Sequence, residues 1–566
     1  MVNSIGFDYD AFPMSTPLRR LILFICLTVI YTLGTRYNLD GYELEYVQSA
    51  RSLFHGDGLV LAPGFYDLPG IPDTWGPLRQ IPRQHYLQSV VSVPFYVLGV
   101  QLFGEQPTIP GRGGYWDLPW GPVLMVALVN PLCSALTVLL VIGILTKLTR
   151  NEALSVTTGL IYGLATMAWP YAGLGLEPFQ TCILTLCVFC AIFYRHAPTL
   201  LHLGVSLLPL MLLPNCKKYS IIFVAPLAVY YAASIWSNKR HRIPGLIMLT
   251  IVAAVALTMH VASTTHKLEH NPGYVDEIIQ KLTEPAHSVF DIVTGLLVSP
   301  GEGIFVFNPI LIYAVAGWPG FFRKHRLEAG MFLGFLLVWL AAASRISYLL
   351  IDEEWGPRYL HVLIPFMVMA GAESLTMPRK SFRKWLFVGI LAISILLQVF
   401  GTLFLGFRIL DVSIAMGIKD LSVPLFTPSA SQPVIAGTLF LSMIHRYFTT
   451  ESLTVTHIQY LNYAGLGADR IYLQQYLNGF DNPVGALFTG RWVLTEMGVD
   501  VWSEQQTFVV WLLILTAMIG LILLITRPLR TADLQAPAKD PSDTAIDSDS
   551  SSSYHDRNDS VEPAGS

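Results

Sequence analysis

Long apolar runs recur along the chain, separated by short polar breaks. About 20 consecutive apolar residues cross a bilayer as a helix. Runs of that kind lie near 18–35, 121–146, 153–171, 175–194, 198–214, 218–237, 243–262, 304–322, 328–349, 358–376, 384–407 and 507–526. They predict an all-α polytopic membrane protein of about twelve transmembrane helices. A further run, His85 to Gly104, is as apolar as the others, and hydropathy alone does not say whether it crosses. Behind the first run a different pattern appears. Tyr46, Val47, Ala50, Leu53 and Phe54 recur at the spacing of one helix face, with Gln48, Ser49, Arg51 and Ser52 on the other. This predicts an amphipathic helix in the membrane interface, with Glu45 on its polar side.

Charge settles the ambiguous run. Basic residues mark cytoplasmic loops, and here they cluster at Arg19-Arg20, Lys147/Arg150, Arg195, Lys239 to Arg242, Arg323 to Arg326, Arg379 to Lys384 and Arg527/Arg530. All fall on one side if 85–104 lies on or dips into the outer surface. If it crosses, every cluster after the first moves outside. Twelve spans with both termini cytoplasmic result, with outer loops at 36–120 and 263–303 and a surface helix near 274–298. A mixed outer segment occupies 408–506, and the last span lies in 507–530.

Composition agrees. Of 566 residues 53% are hydrophobic and 13% charged, where a soluble domain has about 25% charged. The net charge of -4 is concentrated in the tail 531–566, which holds eight acids against Lys539 and Arg557. That Ser/Asp/Pro-rich tail reads as a disordered cytoplasmic extension. No basic patch suggests nucleic acid. The six cysteines sit in or beside apolar runs and read as small buried residues without a disulfide framework. Cys182, Cys187 and Cys190 have no further ligand type nearby, and no metal site is assigned. The first run lacks a small-residue cleavage pattern and reads as an uncleaved span.

The same parity puts the unusual polar residues on the outer side. "RYNLDGYELEY" follows the first span and carries Asp40, Glu43 and Glu45. Two readings fit Asp40 and Glu43. Their spacing is that of a capping box. Equally, a carboxylate held between a span and a surface helix is partly desolvated, which strengthens it as a base. Further outer candidates are Arg83 and His85, Glu177 in "YAGLGLEPF", Lys217-Lys218 in "LPNCKKYS", and Asp352, Glu353, Glu354 and Arg358 in "IDEEWGPRY". A transporter would instead be expected to place charges near the midplane and on both faces.

These pieces, in this order and on one side, resemble the C-type glycosyltransferase (GT-C) superfamily. The resemblance is nearest to its protein O-mannosyltransferase and aminoarabinose-transferase branch. It covers most of 18–407 through "LDGYELEY", "RSLFHGDG", "RQHYLQSVVSVPFYVLGVQLFG", "YAGLGLEPF", "LVSPGEGIFVFNP" and "EEWGPRYLHVLIPF". Two features depart from the family: Asp40 is followed by Gly41 rather than a second acid, and "RQHYLQ" stands where a His-Pro-Pro stretch occurs in the protein-mannosylating branch.

The resemblance implies a catalytic transmembrane module over 1–407 that transfers a sugar, with inversion, from a polyprenyl-phosphate donor to a lipid, glycan or protein acceptor at the outer face. The fitting setting is a bacterial plasma membrane with the site on the periplasmic or extracellular side. Asp40 would be the general base and Glu43 the second candidate. Lys217, Lys218, Arg358 and Arg83 would hold the donor phosphate. His85, Glu177, Asp352, Glu353 and Glu354 would line the cavity, and no cofactor is implied.

Other readings stand beside these. Lys217 and Lys218 fit snorkelling anchors, Arg358 fits a local ion pair with Asp352 to Glu354, and Glu177 fits a helix start. Trp75 and Trp355 fit interface-belt aromatics. His260, His266 and His270 fit an outer helix end. A polyprenyl-glycan flippase and a non-catalytic membrane protein remain the alternative functions.

Overall fold

The computed structural model describes residues 16–34, 42–59, 86–105, 108–110, 117–173, 175, 177–270, 289–343, 355–375, 381–403, 427–428, 431–449 and 512–523. Helices dominate these residues, and the described strands form a single short antiparallel ribbon, Thr108–Pro110 with Asp117–Pro119. The first eleven helices are α1 (Thr16–Gly34), α2 (Tyr42–His55), α3 (Tyr86–Phe103), α4 (Trp120–Ala127), α5 (Val129–Thr149), α6 (Glu152–Leu164), α7 (Ala168–Tyr171), α8 (Glu177–His196), α9 (Leu200–Leu212), α10 (Val224–Ser237) and α11 (Arg242–His270).

Eight helical stretches among the described residues are long and apolar enough to cross a membrane, so the chain is an all-α multi-pass membrane protein. Seven coincide with predicted runs, and the eighth is α3, Tyr86–Phe103. Three further runs form shorter apolar helices, within 200–215, 358–370 and 512–523.

Two predicted runs are broken, and the breaks meet. The 153–171 run divides between α6 and α7. The 304–322 run divides into Ile304–Phe307, Ile310–Val315 and Trp318–Lys324. Pro309 and Pro319 lack the amide hydrogen that a continuous helix needs. Backbone groups freed inside a membrane must find partners within the protein. Asn308 provides one: its Oδ1 accepts from Met167 N–H at 2.7 Å, across the α6–α7 break, while its Nδ2 donates to Ile304 O. Gln398 donates to Phe307 O at 2.8 Å. Hydropathy averages over such breaks, which is why each run reads as one span in sequence.

Charged groups gather at the two ends of α8. At its last turn Arg195 donates to Glu328 at 2.5 Å, and Tyr230 donates to the same oxygen at 3.0 Å. Lys324–Glu373 and Arg20–Glu152 join residues of other predicted cytoplasmic loops. The first turn of α8, about 30 Å away at 1.5 Å per residue, carries Glu177, one of the outer candidates.

The helix after the first span departs from expectation. α2 buries Tyr46, Val47 and Ala50 as predicted, but Glu45, Gln48, Ser49 and Ser52 are buried too. The reading of Glu45 as a residue of an open polar face is therefore corrected. α2 packs against α3 and α4, so helix neighbours cover the face that the sequence assigns to water.

Candidate functional site

Glu177 opens α8, where Pro178 supplies the preset backbone angle favoured in a helix's first turn. Lys217 lies in extended backbone (φ −156°, ψ 146°) between two 3-10 turns, Leu213–Asn215 and Lys218–Phe223. Arg358 starts a third 3-10 turn, Arg358–Leu363, behind Gly356 and Pro357. Gly356 has φ +65°, and a Cβ there would stand 2.6 Å from the Phe307 ring, so both its conformation and its space call for glycine.

These three segments bring the side chains together. Lys217 Nζ donates to Glu177 Oε1, and Arg358 Nε donates to the same oxygen at 3.0 Å. All three residues are buried. The Tyr359 ring lies 5.0 Å from Lys217 Nζ and 5.4 Å from Arg358 Cζ, within cation–π range of both. Burying an ion costs several kcal/mol unless partners meet it with good geometry. Here one carboxylate meets two cations, and an aromatic face meets both.

Two of the alternatives are thereby corrected. Lys217 is 6% exposed and bonded inward, so it is not a snorkelling anchor. Trp355 is 1% exposed, with its ring edge-on to Phe307 at 5.0 Å, so it is a core residue rather than an interface aromatic. Arg358 also reaches beyond the neighbouring acids, to a carboxylate 181 residues away. Glu177 is at a helix start, as its local sequence indicates, and carries the two cations as well.

The surroundings add groups that were not singled out in the sequence. Thr181, one turn along α8, contacts His361 (Oγ1 to Nδ1 2.9 Å). The Tyr171 ring lies 5.1 Å from the His361 ring, and its hydroxyl donates to Trp355 O at 2.9 Å. Gln180 donates to Ser220, tying α8 to the turn behind Lys217. Gln88 on α3 donates to Asn130, which donates to Gly175 O just before Glu177. The signal for Thr181 and His361 is spacing: four residues after Glu177 on an α-helix, three after Arg358 on a 3-10 turn.

Asp40, Arg83, His85, Asp352, Glu353 and Glu354 lie outside the described residues. The side chains of Glu43 and Lys218 do as well. Gly34, the last described residue before Asp40, approaches Thr402 and Trp169, beside the helix that carries Tyr171.

No protein-family model matches the chain. No curated protein matches it either. Among solved structures the chain is similar to ArnT from Cupriavidus metallidurans bound to undecaprenyl phosphate, with 15% identity, 82% of this chain and 77% of that one covered, and a TM-score of 0.45. It is also similar to the archaeal oligosaccharyltransferase AglB from Archaeoglobus fulgidus in complex with an inhibitory peptide and a dolichol-phosphate, with 10% identity, 71% and 58% coverage, and a TM-score of 0.42. Likenesses of this size assign no residue a role.

Taken as chemistry, the cluster is two buried cations held on one carboxylate. Lys217 is a compact point charge and Arg358 a planar fork with further N–H donors, the pair suited to phosphate oxygens.

Proposed function

We propose that this protein is a membrane glycosyltransferase that takes a sugar from a polyprenyl-phosphate donor and transfers it to a lipid, glycan or protein acceptor at the outer face. The observation that carries the proposal is the convergence of Lys217 and Arg358, 141 residues apart, at one buried point at the first turn of α8. Breaking a sugar–phosphate bond leaves growing negative charge on the phosphate, and preorganised cations in a dry site stabilise that charge far better than water-exposed ones.

In the proposed reaction an acceptor hydroxyl attacks the anomeric carbon as the bond to the phosphate oxygen breaks. The electron pair leaves with the phosphate, facing Lys217 and Arg358. Asp40, with Glu43 as the second candidate, takes the hydroxyl proton within the transition state, since a hydroxyl is too weak an acid to ionise beforehand. A single displacement inverts the anomeric centre. Glu177 holds the two cations in register. Lys218, Arg83, His85, Asp352, Glu353 and Glu354 are assigned to the donor and acceptor surroundings, with no cofactor and no metal ligand among the proposed groups. The catalytic module is 1–407, 408–506 an outer segment, 507–530 the last span, and 531–566 a cytoplasmic tail. The setting is a bacterial plasma membrane, active side outward.

The test uses membranes supplied with a radiolabelled polyprenyl-phosphate sugar. Lys217→Met and Asp40→Asn should each lower transfer about 10²-fold or more, the scale of one general base or one charge-stabilising group. Transfer at the wild-type rate by Asp40→Asn removes Asp40 as base. Label crossing sealed vesicles with no acceptor modified favours transport instead.

A further inference from the structure

The contact between α8 and the 358–363 turn is a ladder of two rungs. Glu177 and Thr181 are four residues apart and share one face of α8. Arg358 and His361 are three apart, and side chains at that spacing eclipse in a 3-10 turn. Arg358 meets Glu177 at 3.0 Å and His361 meets Thr181 at 2.9 Å. His361 is 1% exposed, and the charges of Glu177 and Lys217 both act on its ring.

The lower rung bears on which ring nitrogen carries the hydrogen. Thr28, Thr32, Thr137, Thr146 and Thr185 each donate their hydroxyl to the carbonyl four residues back. Thr181 makes no such bond among the described residues; its Oγ1 lies 2.9 Å from His361 Nδ1. With Thr181 donating, Nδ1 accepts and Nε2 bears the hydrogen. Nε2 is buried and has no hydrogen-bond partner among the described residues. A buried donor without an acceptor is costly, and native folds seldom keep one unless a ligand or water fills the place.

We propose that His361 Nε2–H is a third donor of the anion site, bonded to an oxygen of the phosphate that Lys217 and Arg358 hold. The assignment rests on the phosphate reading above and sharpens it. A phosphate offers only acceptors, more of them than two cations use, and a neutral imidazole adds a donor without a further buried charge.

The experiment measures binding of a polyprenyl phosphate, and separately of inorganic phosphate, to the full-length protein in detergent. His361→Asn, which cannot reach the Nε2 position, should weaken binding about tenfold or more, the scale of a hydrogen bond to a charged group. His361→Gln places an amide N–H near Nε2 and should stay within about threefold of wild type by the same measure. Thr181→Val frees the other tautomer and should weaken binding while leaving the histidine in place. This ordering with either probe supports the assignment. Wild-type binding by both His361→Asn and Thr181→Val overturns it. Lys217→Met separates the two readings: if it loses binding while the His361 and Thr181 variants keep it, only the His361 assignment falls. If it binds as wild type, the phosphate site falls as well. A loss in His361→Asn that Gln does not restore marks a packing role and also overturns the proposal.

Discussion

Glu177 carries two cations on one carboxylate oxygen, in a place where water does not reach. Removing the partner of a buried charge costs about 3–5 kcal/mol, because the remaining charges stay desolvated. Glu177→Gln is therefore expected to lower unfolding stability in detergent by about that amount. Lys324→Ala breaks a pair that is 62% and 39% exposed and should cost under about 1 kcal/mol. Equal losses in the two variants, read by thermal unfolding, would refute the buried-cluster account. In the sequence, the residue types at 177, 217 and 358 stood out as polar groups on the outer side of an apolar chain. Their convergence did not, since 141 residues separate the two cations and nothing local links them. His361 is less legible, since one histidine in an apolar stretch looks like core until its neighbour on another helix is known.

At the scale of elements, the paired helix breaks hold together the end of the bundle that carries the site. Asn308 closes the α6–α7 break from a second broken segment, and Gln398 closes part of Asn308's own. The breaks lie beside the site: Phe307 packs against Trp355, whose carbonyl holds Tyr171, whose ring lies against His361. Asn308→Ala leaves the Met167 N–H buried without its acceptor, at a cost of about 1–3 kcal/mol. Hydrogen exchange at Met167 should speed up markedly in that variant while exchange in α5 changes little. Unchanged protection at Met167 would mean that the Asn308 bond does not hold the break. Hydropathy located these runs and missed their interruptions, because Pro309 and Pro319 weigh little in an average over about 19 residues. It also misread the polar side of α2, since alternation shows which positions are apolar, not whether another helix covers the rest.

For the whole molecule, the question is whether α3 crosses the membrane, since the sidedness of everything after it depends on the answer. By length and composition it is able to. Its contacts set it against α4 and the first turn of α5. Leu87 and Phe95 pack with Val129, Phe179 and Cys216, and Gln88 bonds Asn130, all beside the first turns of α5 and α8. Gly99 lies so near α4 that a Cβ would stand 2.4 Å from Pro122 Cα, and Phe103 crowds Gly121 in the same way. α3 therefore runs antiparallel along α4, its start beside Asn130 and its end beside Gly121. Charge parity asks for an α3 that does not cross, because a crossing α3 would carry every later basic cluster outside. Leu102 is exposed, as is Arg240 in the loop between α10 and α11. In intact cells an impermeant maleimide should label Leu102→Cys, and should label Arg240→Cys only after the membrane is opened. A crossing α3 predicts the reverse at both positions. Protection at 102 together with outside labelling at 240 would move Glu177, Lys217 and Arg358 to the cytoplasmic side, and the outer-face reaction would fall with the topology.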